Sequence, residues 1–130
     1  MSADLTWMIL RDGHSFLIER DGVRFSAEPG NVMNKHSYKY SGFANKKTVD
    51  VAMGDKKKHT VAFAMKKQGC SIRKPAQMLQ KSNLKFSAKL AKVIAYECAG
   101  KHYRADLSHD AIRRAKKILR TLKVEKKDKQ

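Results

Sequence analysis

Arg113, Arg114, Lys116, Lys117, Arg120 and Lys123 recur through residues 113–123 at spacings that place them on one side of a helix. Such side chains meet phosphate oxygens, Arg as a planar fork and Lys as a compact charge. A second set, Lys66, Lys67, Arg73 and Lys74, lies in the acid-free stretch from Lys66 to Pro75, where Gly69 and Pro75 discourage regular structure. A third, Lys35, Lys39, Lys46 and Lys47, interleaves with His36, Tyr38, Tyr40 and Phe43. Lys101, Tyr103 and Arg104 make a smaller version. Cations for phosphates beside rings that stack on unpaired bases are the pattern expected for binding structured RNA. On this reading Arg113, Arg114, Lys117 and Arg120 meet phosphates from a helix, and Arg73 and Lys74 do so from a loop. Tyr103 or Tyr40 would stack on a base. Each set also has a plainer reading: a solvated helix face, or aromatics packed within a sheet. Lys56, Lys57 and Lys58 read equally as a soluble hairpin tip, and Trp7 and Cys98 as core.

The total charge favours the first reading. The 130 residues hold 29 Lys and Arg against 12 Asp and Glu, a formal net charge of +17. Residues 1–65 carry 10 cations and 7 acids, whereas residues 66–130 carry 19 and 5. A body this basic repels itself unless a polyanion is near.

Other chemistries find little support. No glycine-rich phosphate loop, zinc-protease helix or nucleophile elbow is present. His14, His36, His59, His102 and His109 are scattered, with no Cys or carboxylate at ligand spacing. No pair of acids stands out as general acid and base, so a binding protein is expected, not an enzyme, with no cofactor, no metal and no small-molecule substrate. Cys70 and Cys98 make no disulfide framework and read as reduced thiols. The apolar run Trp7–Leu10 is too short for a signal peptide, and no stretch approaches a membrane span, so no membrane partner is expected.

The elements that must carry these residues divide the chain. Residues 1–67 read as a mainly β region. Phe16–Arg20 and Val23–Ser26 flank Asp21-Gly22, a pair suited to a tight hairpin. Glu28-Pro29-Gly30-Asn31 is a turn, and a strand is expected over Ser37–Tyr40. Val49, Val51 and Met53 alternate with Thr48, Asp50 and Ala52, and Val61, Phe63 and Met65 repeat the period of two. A helix over Ala3–Leu10 is expected to pack Leu5 and Trp7 on this sheet. Residues 68–86 read as a basic, loop-like connection. Residues 87–123 read as helical. Ser87 caps a helix to Ala99 that carries Phe86, Leu90, Val93, Ile94 and Cys98 on its apolar side. A second helix, capped by Ser108, runs to Leu122. Its Leu107, Ala111, Ile112, Ala115, Ile118, Leu119 and Leu122 fall within an arc of about 140°, and its cations fall outside. Residues 124–130 read as a flexible tail. The fold class is α+β: one compact domain with a small antiparallel sheet, two or three helices and a basic C-terminal tail.

Several short strings, in this order and at these separations, resemble one family. They are Ser2–Met8, Ser15–Ile18, Phe25–Asn31, Tyr40-Ser41-Gly42, Asn45–Val49, Arg73–Ala76, Tyr103–Leu107 and Ala111–Arg120. Together they look like the family of ribosomal protein twenty-eight of the eukaryotic large subunit. The resemblance implies a non-catalytic structural component that binds large-subunit ribosomal RNA and neighbouring ribosomal proteins. It also implies assembly in the nucleolus and work on the cytoplasmic ribosome. Gly69-Cys70-Ser71-Ile72 is more apolar than the basic stretch this family carries before Arg-Lys-Pro. Two alternatives stand beside it: a nucleolar large-subunit assembly factor with a similar domain, and a chromatin or DNA-binding module. The second is disfavoured because few Asn or Gln, the side chains that read base edges, accompany the helical cations.

Overall fold

The computed structural model of the protein describes residues 2–55, 59–67, 78–85 and 89–127, and the side chains of the last helix as far as Leu122. Its elements run α1 (Ala3–Leu10), β1 (Leu17–Arg20), β2 (Val23–Ser26), β3 (Val49–Met53), β4 (Thr60–Lys66), β5 (Leu79–Lys85), α2 (Leu90–Ala95) and α3 (Ser108–Lys127). A π-helical turn (Tyr96–Gly100) and a 3-10 turn (Ala105–Leu107) join α2 to α3. The architecture is α+β, with two small antiparallel sheets ordered β1-β2 and β3-β4-β5.

The period of two puts Val49 opposite Met65, Val51 opposite Phe63 and Met53 opposite Val61. One face of β3 and β4 is therefore apolar, and α2 and α3 cover it. Val49, Val51, Val61 and Phe63 pack there against Leu90, Ile94, Cys98, Leu107, Ala111 and Ala115. The long loop after β2 is held by its own polar groups, where the buried carboxylate of Glu28 accepts from Asn31 Nδ2 (3.2 Å) and Ser41 Oγ (3.3 Å). Gly42 belongs to this closure, because a Cβ there would overlap the Pro29 carbonyl. The β1-β2 hairpin turns at Asp21 (φ 49°) and Gly22 (φ 73°), the left-handed pair that Asp-Gly supplies.

Several local expectations are corrected. Ser37–Tyr40 forms turns, not a strand: Tyr40 and Ser41 N–H both donate to the Ser37 carbonyl, so the segment curls on itself. Leu79–Lys85, expected within a loop-like connection, is the third strand of the larger sheet. On its core-facing side it offers Gln80, Ser82 and Leu84 opposite Met65, Phe63 and Val61, too little apolar alternation to announce a strand. Residues 68–77 and 86–88, with Cys70, Arg73, Lys74, Phe86 and Ser87, lie outside the described residues, as do Lys56, Lys57 and Lys58. The helix expected up to Ala99 ends at Ala95 and passes into the π turn. There Gly100 sits so close to the Tyr96 ring that a Cβ would strike it. Leu90, Ile94 and Cys98 are buried, but Val93 is exposed. The Ser108 hydroxyl donates to the Ala105 carbonyl instead of capping, because a 3-10 turn leads directly into α3. That helix continues past Leu122 to Lys127, across part of the expected tail, and residues 128–130 lie outside the described residues. Finally, α1 buries no residue, and Trp7 meets His36 and Tyr38 of the loop instead of the sheet.

Candidate nucleic-acid interface

Helix α3 divides its two faces as its sequence requires. Leu107, Ala111, Ala115 and Leu122 are buried, with Ile112, Ile118 and Leu119 packed at the margin of the core. Arg113, Lys116, Lys117 and Arg120 are exposed on the outer face. Arg113 and Lys117 stand four residues apart, one above the other, as do Lys116 and Arg120. Four cations thus share a surface about two helical turns long.

Arg114 does not join them. At about 100° per residue it falls only about 20° beyond the edge of the apolar arc, within reach of the sheet. Its Nε donates to the Val51 carbonyl (2.6 Å) and its Nη1 to the Val32 carbonyl (2.9 Å). This guanidinium ties α3 to β3 and to the loop after β2.

The loop over residues 37–48 is stapled to the helical half from several sides. Tyr40 Oη donates to Asp110 Oδ2 in the first turn of α3 (2.9 Å). Burial and this carboxylate raise the Tyr40 hydroxyl above its ordinary pKa, and the charge of Arg113 pulls the other way. Arg104 reaches across with Nη1 on the Lys47 carbonyl (2.9 Å) and Nη2 on the Lys39 carbonyl (3.0 Å). Asp106 holds one edge of that guanidinium, accepting from Nε (2.8 Å) and Nη2 (2.9 Å). The Arg104 guanidinium, and more weakly the charge of Lys39, keep the Asp106 carboxyl below its usual range. Tyr103 Oη accepts from Thr48 N–H (3.2 Å) and donates to the Lys66 carbonyl (2.7 Å). Burial raises its pKa. Lys66 Nζ donates to the Gly42 (3.2 Å) and Asn45 (2.9 Å) carbonyls.

The sequence-derived residues therefore separate into two groups. Arg104, Arg114, Tyr103 and Lys66 turn their polar groups inward and fix the backbone. Lys39, Lys46 and Lys47 are carried on the backbone so fixed. Lys39 and Lys46 are exposed, while Lys47 is half-buried with its Nζ 5.6 Å from the centre of the Tyr103 ring. Lys39 Nζ lies 5.3 Å from the centre of the Tyr40 ring. Because the Tyr40 hydroxyl is bonded to Asp110, this places Lys39 near the first turn of α3. Lys67 is exposed at the end of β4. Lys101 is exposed and ion-paired with Glu97 (2.8 Å), which raises its pKa. Lys35 stands with the hairpin, its backbone bridged to Phe25 of β2. Arg73 and Lys74 lie outside the described residues.

Among the described residues, further exposed cations lie outside the basic sets of the sequence pattern. Lys81 and Lys85 of β5, with Asn83 between them, share the sheet face opposite the core, and Lys92 is exposed on α2. The spacing of two from Lys81 to Asn83 to Lys85 is the available signal.

Fold and surface define a small basic α+β protein with a cationic helix face. Among the described residues no group of three His, Cys, Asp or Glu is placed to hold a metal ion, and no helix is long and apolar enough to cross a membrane. The Ribosomal L28e protein family profile matches residues 5–121, and the chain belongs to that family. It is 33% identical over 128 residues to the large ribosomal subunit protein eL28 of Dictyostelium discoideum, covering 98% of this chain and 93% of the relative. It is 32% identical over 131 residues to the protein of the same name from Schizosaccharomyces pombe, covering 97% and 96%. The Trypanosoma cruzi protein of that name is 32% identical over 126 residues, covering 97% and 82%.

Proposed function

We propose that this protein is a non-catalytic structural constituent of the large ribosomal subunit that grips ribosomal RNA through its cationic surface. The observation that carries the reading is the division of α3, whose apolar side is buried while Arg113, Lys116, Lys117 and Arg120 are exposed on the other, with Lys39, Lys46 and Lys47 on the loop that Tyr40 ties to its first turn. These side chains are the phosphate-facing group, with Lys35, Lys67, Arg73, Lys74 and Lys101 as further contacts. Arg104, Arg114, Tyr103 and Lys66 act as supports for the surface. Relatives bearing the name of a large-subunit protein match almost the full chain, which favours ribosomal RNA over duplex DNA as the polyanion. The protein joins the subunit in the nucleolus, works on the cytoplasmic ribosome and contacts neighbouring ribosomal proteins there.

Sedimentation of a cell lysate through sucrose tests this. The tagged chain should travel with free large subunits and with polysomes, and should shift to lighter fractions when polysomes are dissociated. Confinement to nuclear pre-ribosomes would make it an assembly factor, and absence from all ribosomal fractions would refute the reading.

A further inference from the structure

Tyr96 is exposed but held in place. Its ring is 62% exposed, more than any other phenylalanine or tyrosine among the described residues. It stands where α2 passes into the π-helical turn Tyr96–Gly100, a departure from the α-helix that recurs at functional sites. At about 100° per residue, Lys92 and Tyr96 each fall about 160° from the direction of the buried Ile94, so both point outward. The turn then folds back against the ring. A Cβ on Gly100 would come within 2.7 Å of Tyr96 Cδ2, so the glycine lets the backbone lie against it. Lys101 Nζ lies 5.8 Å from the ring centre, and both Glu97 oxygens hold that ammonium at 2.8 Å. The ring is therefore backed by its own turn, and the rest of it is open to solvent.

The surroundings of the ring identify what it meets. From Lys89 to Lys101 the only acid is Glu97, and its carboxylate is occupied by Lys101. Lys92 stands one turn before Tyr96 on the same face, exposed and with no side-chain partner among the described residues. Helix α2 shares its core with α3, so the ring belongs to the same helical half as Arg113, Lys116, Lys117 and Arg120. A protein partner would enclose an anchoring ring among apolar contacts, but the outer face here supplies lysines. An open ring with a free cation one turn away suits a nucleotide, whose base stacks while its phosphate is neutralised. We propose that Tyr96 is a stacking platform for one unpaired base of the large-subunit ribosomal RNA, with Lys92 on the adjoining phosphate. The proposal rests on the RNA grip assigned above and adds a contact of different chemistry to it.

Binding of the full chain to protein-free large-subunit ribosomal RNA, titrated over a range of salt, tests this. Tyr96→Ala should weaken binding about tenfold, as for loss of one base–aromatic stack. Its salt slope should stay that of wild type, because no phosphate contact is removed. Tyr96→Phe should bind like wild type, since it keeps the ring. Lys92→Ala should instead flatten the slope by about 0.7–0.9. Because the ring is mostly exposed, Tyr96→Ala should melt like wild type, so its loss of affinity reads binding alone. In purified large subunits, p-azidophenylalanine placed at Tyr96 should attach to one ribosomal RNA nucleotide on illumination. Wild-type affinity in Tyr96→Ala, an equal loss in Tyr96→Phe, an unchanged slope in Lys92→Ala, or attachment to protein or to nothing would overturn the proposal and leave the grip of α3 standing. Failure of the wild-type chain to bind this RNA would overturn the grip itself, and the stack with it.

Discussion

Arg104 is where loop and helices meet. Its guanidinium spans two backbone carbonyls, of Lys39 and Lys47, and is itself held by Asp106. Charge-assisted hydrogen bonds to a mostly buried group are strong, and removal leaves their partners unpaired. Arg104→Ala should cost about 2–3 kcal/mol in urea unfolding, by the usual scale for such bonds. Arg104→Lys should recover little of this, since one ammonium cannot reproduce the fork. A pH dependence accompanies the clasp. Because Arg104 lowers the folded-state pKa of Asp106, the interaction stabilises above the unfolded carboxyl value of about 3.9. That stability is lost as pH falls through the folded value. Asp106→Asn should therefore be less stable than wild type at pH 7, with the difference shrinking below about pH 4 in acid unfolding curves. At Cys98 burial pushes the thiol up to about 11. In a Cys70→Ser background a disulfide reagent at about pH 8 should leave Cys98 unmodified until the protein unfolds, because the thiolate is the reacting species.

At the scale of elements, packing separates side chains that sequence spacing groups together. Ile94 is fully buried between α2 and the sheet, whereas its neighbour Val93 is 40% exposed. Ile94→Ala should cost about 2–5 kcal/mol in denaturant unfolding, and Val93→Ala no more than about 1 kcal/mol, as for a partly solvated site. The paired strands β3 and β4 and the split faces of α3 are legible in the sequence because each buries one side against a continuous core, which imposes its period on the residues. The Asp-Gly hairpin is legible because its turn needs that chemistry. The edge strand β5 is not, since β4 supplies its hydrogen bonds and it buries little apolar surface. The inward guanidinium of Arg114 is hidden for another reason. Its carbonyl partners lie 63 and 82 residues away, and only the folded backbone brings them near. Helix α1 stands where its sequence places it, with Trp7 turned inward onto His36 and Tyr38 of the loop instead of the sheet and Leu5 left exposed, because Trp7, Asp4 and the backbone at Arg11 engage loop groups.

The molecule as a whole separates its surfaces by charge. Residues 2–26, which form α1 and the β1-β2 hairpin, sum to −1, and the rest of the chain carries the positive excess. Within that body the fold uses some cations as internal ties and leaves others outward, so basic composition overstates the number of outward cations. The measurement that most directly tests this division is the salt dependence of binding to a large-subunit ribosomal RNA fragment, for wild type, Arg113→Ala/Lys117→Ala/Arg120→Ala and Arg104→Ala. Each phosphate contact contributes about 0.7–0.9 to the slope of log affinity against log salt. The triple variant should bind more weakly, with a slope shallower by about 2–3 and an unchanged melting temperature, whereas Arg104→Ala should melt earlier. A triple variant that kept the wild-type slope would contradict the RNA grip assigned to the outer face of α3.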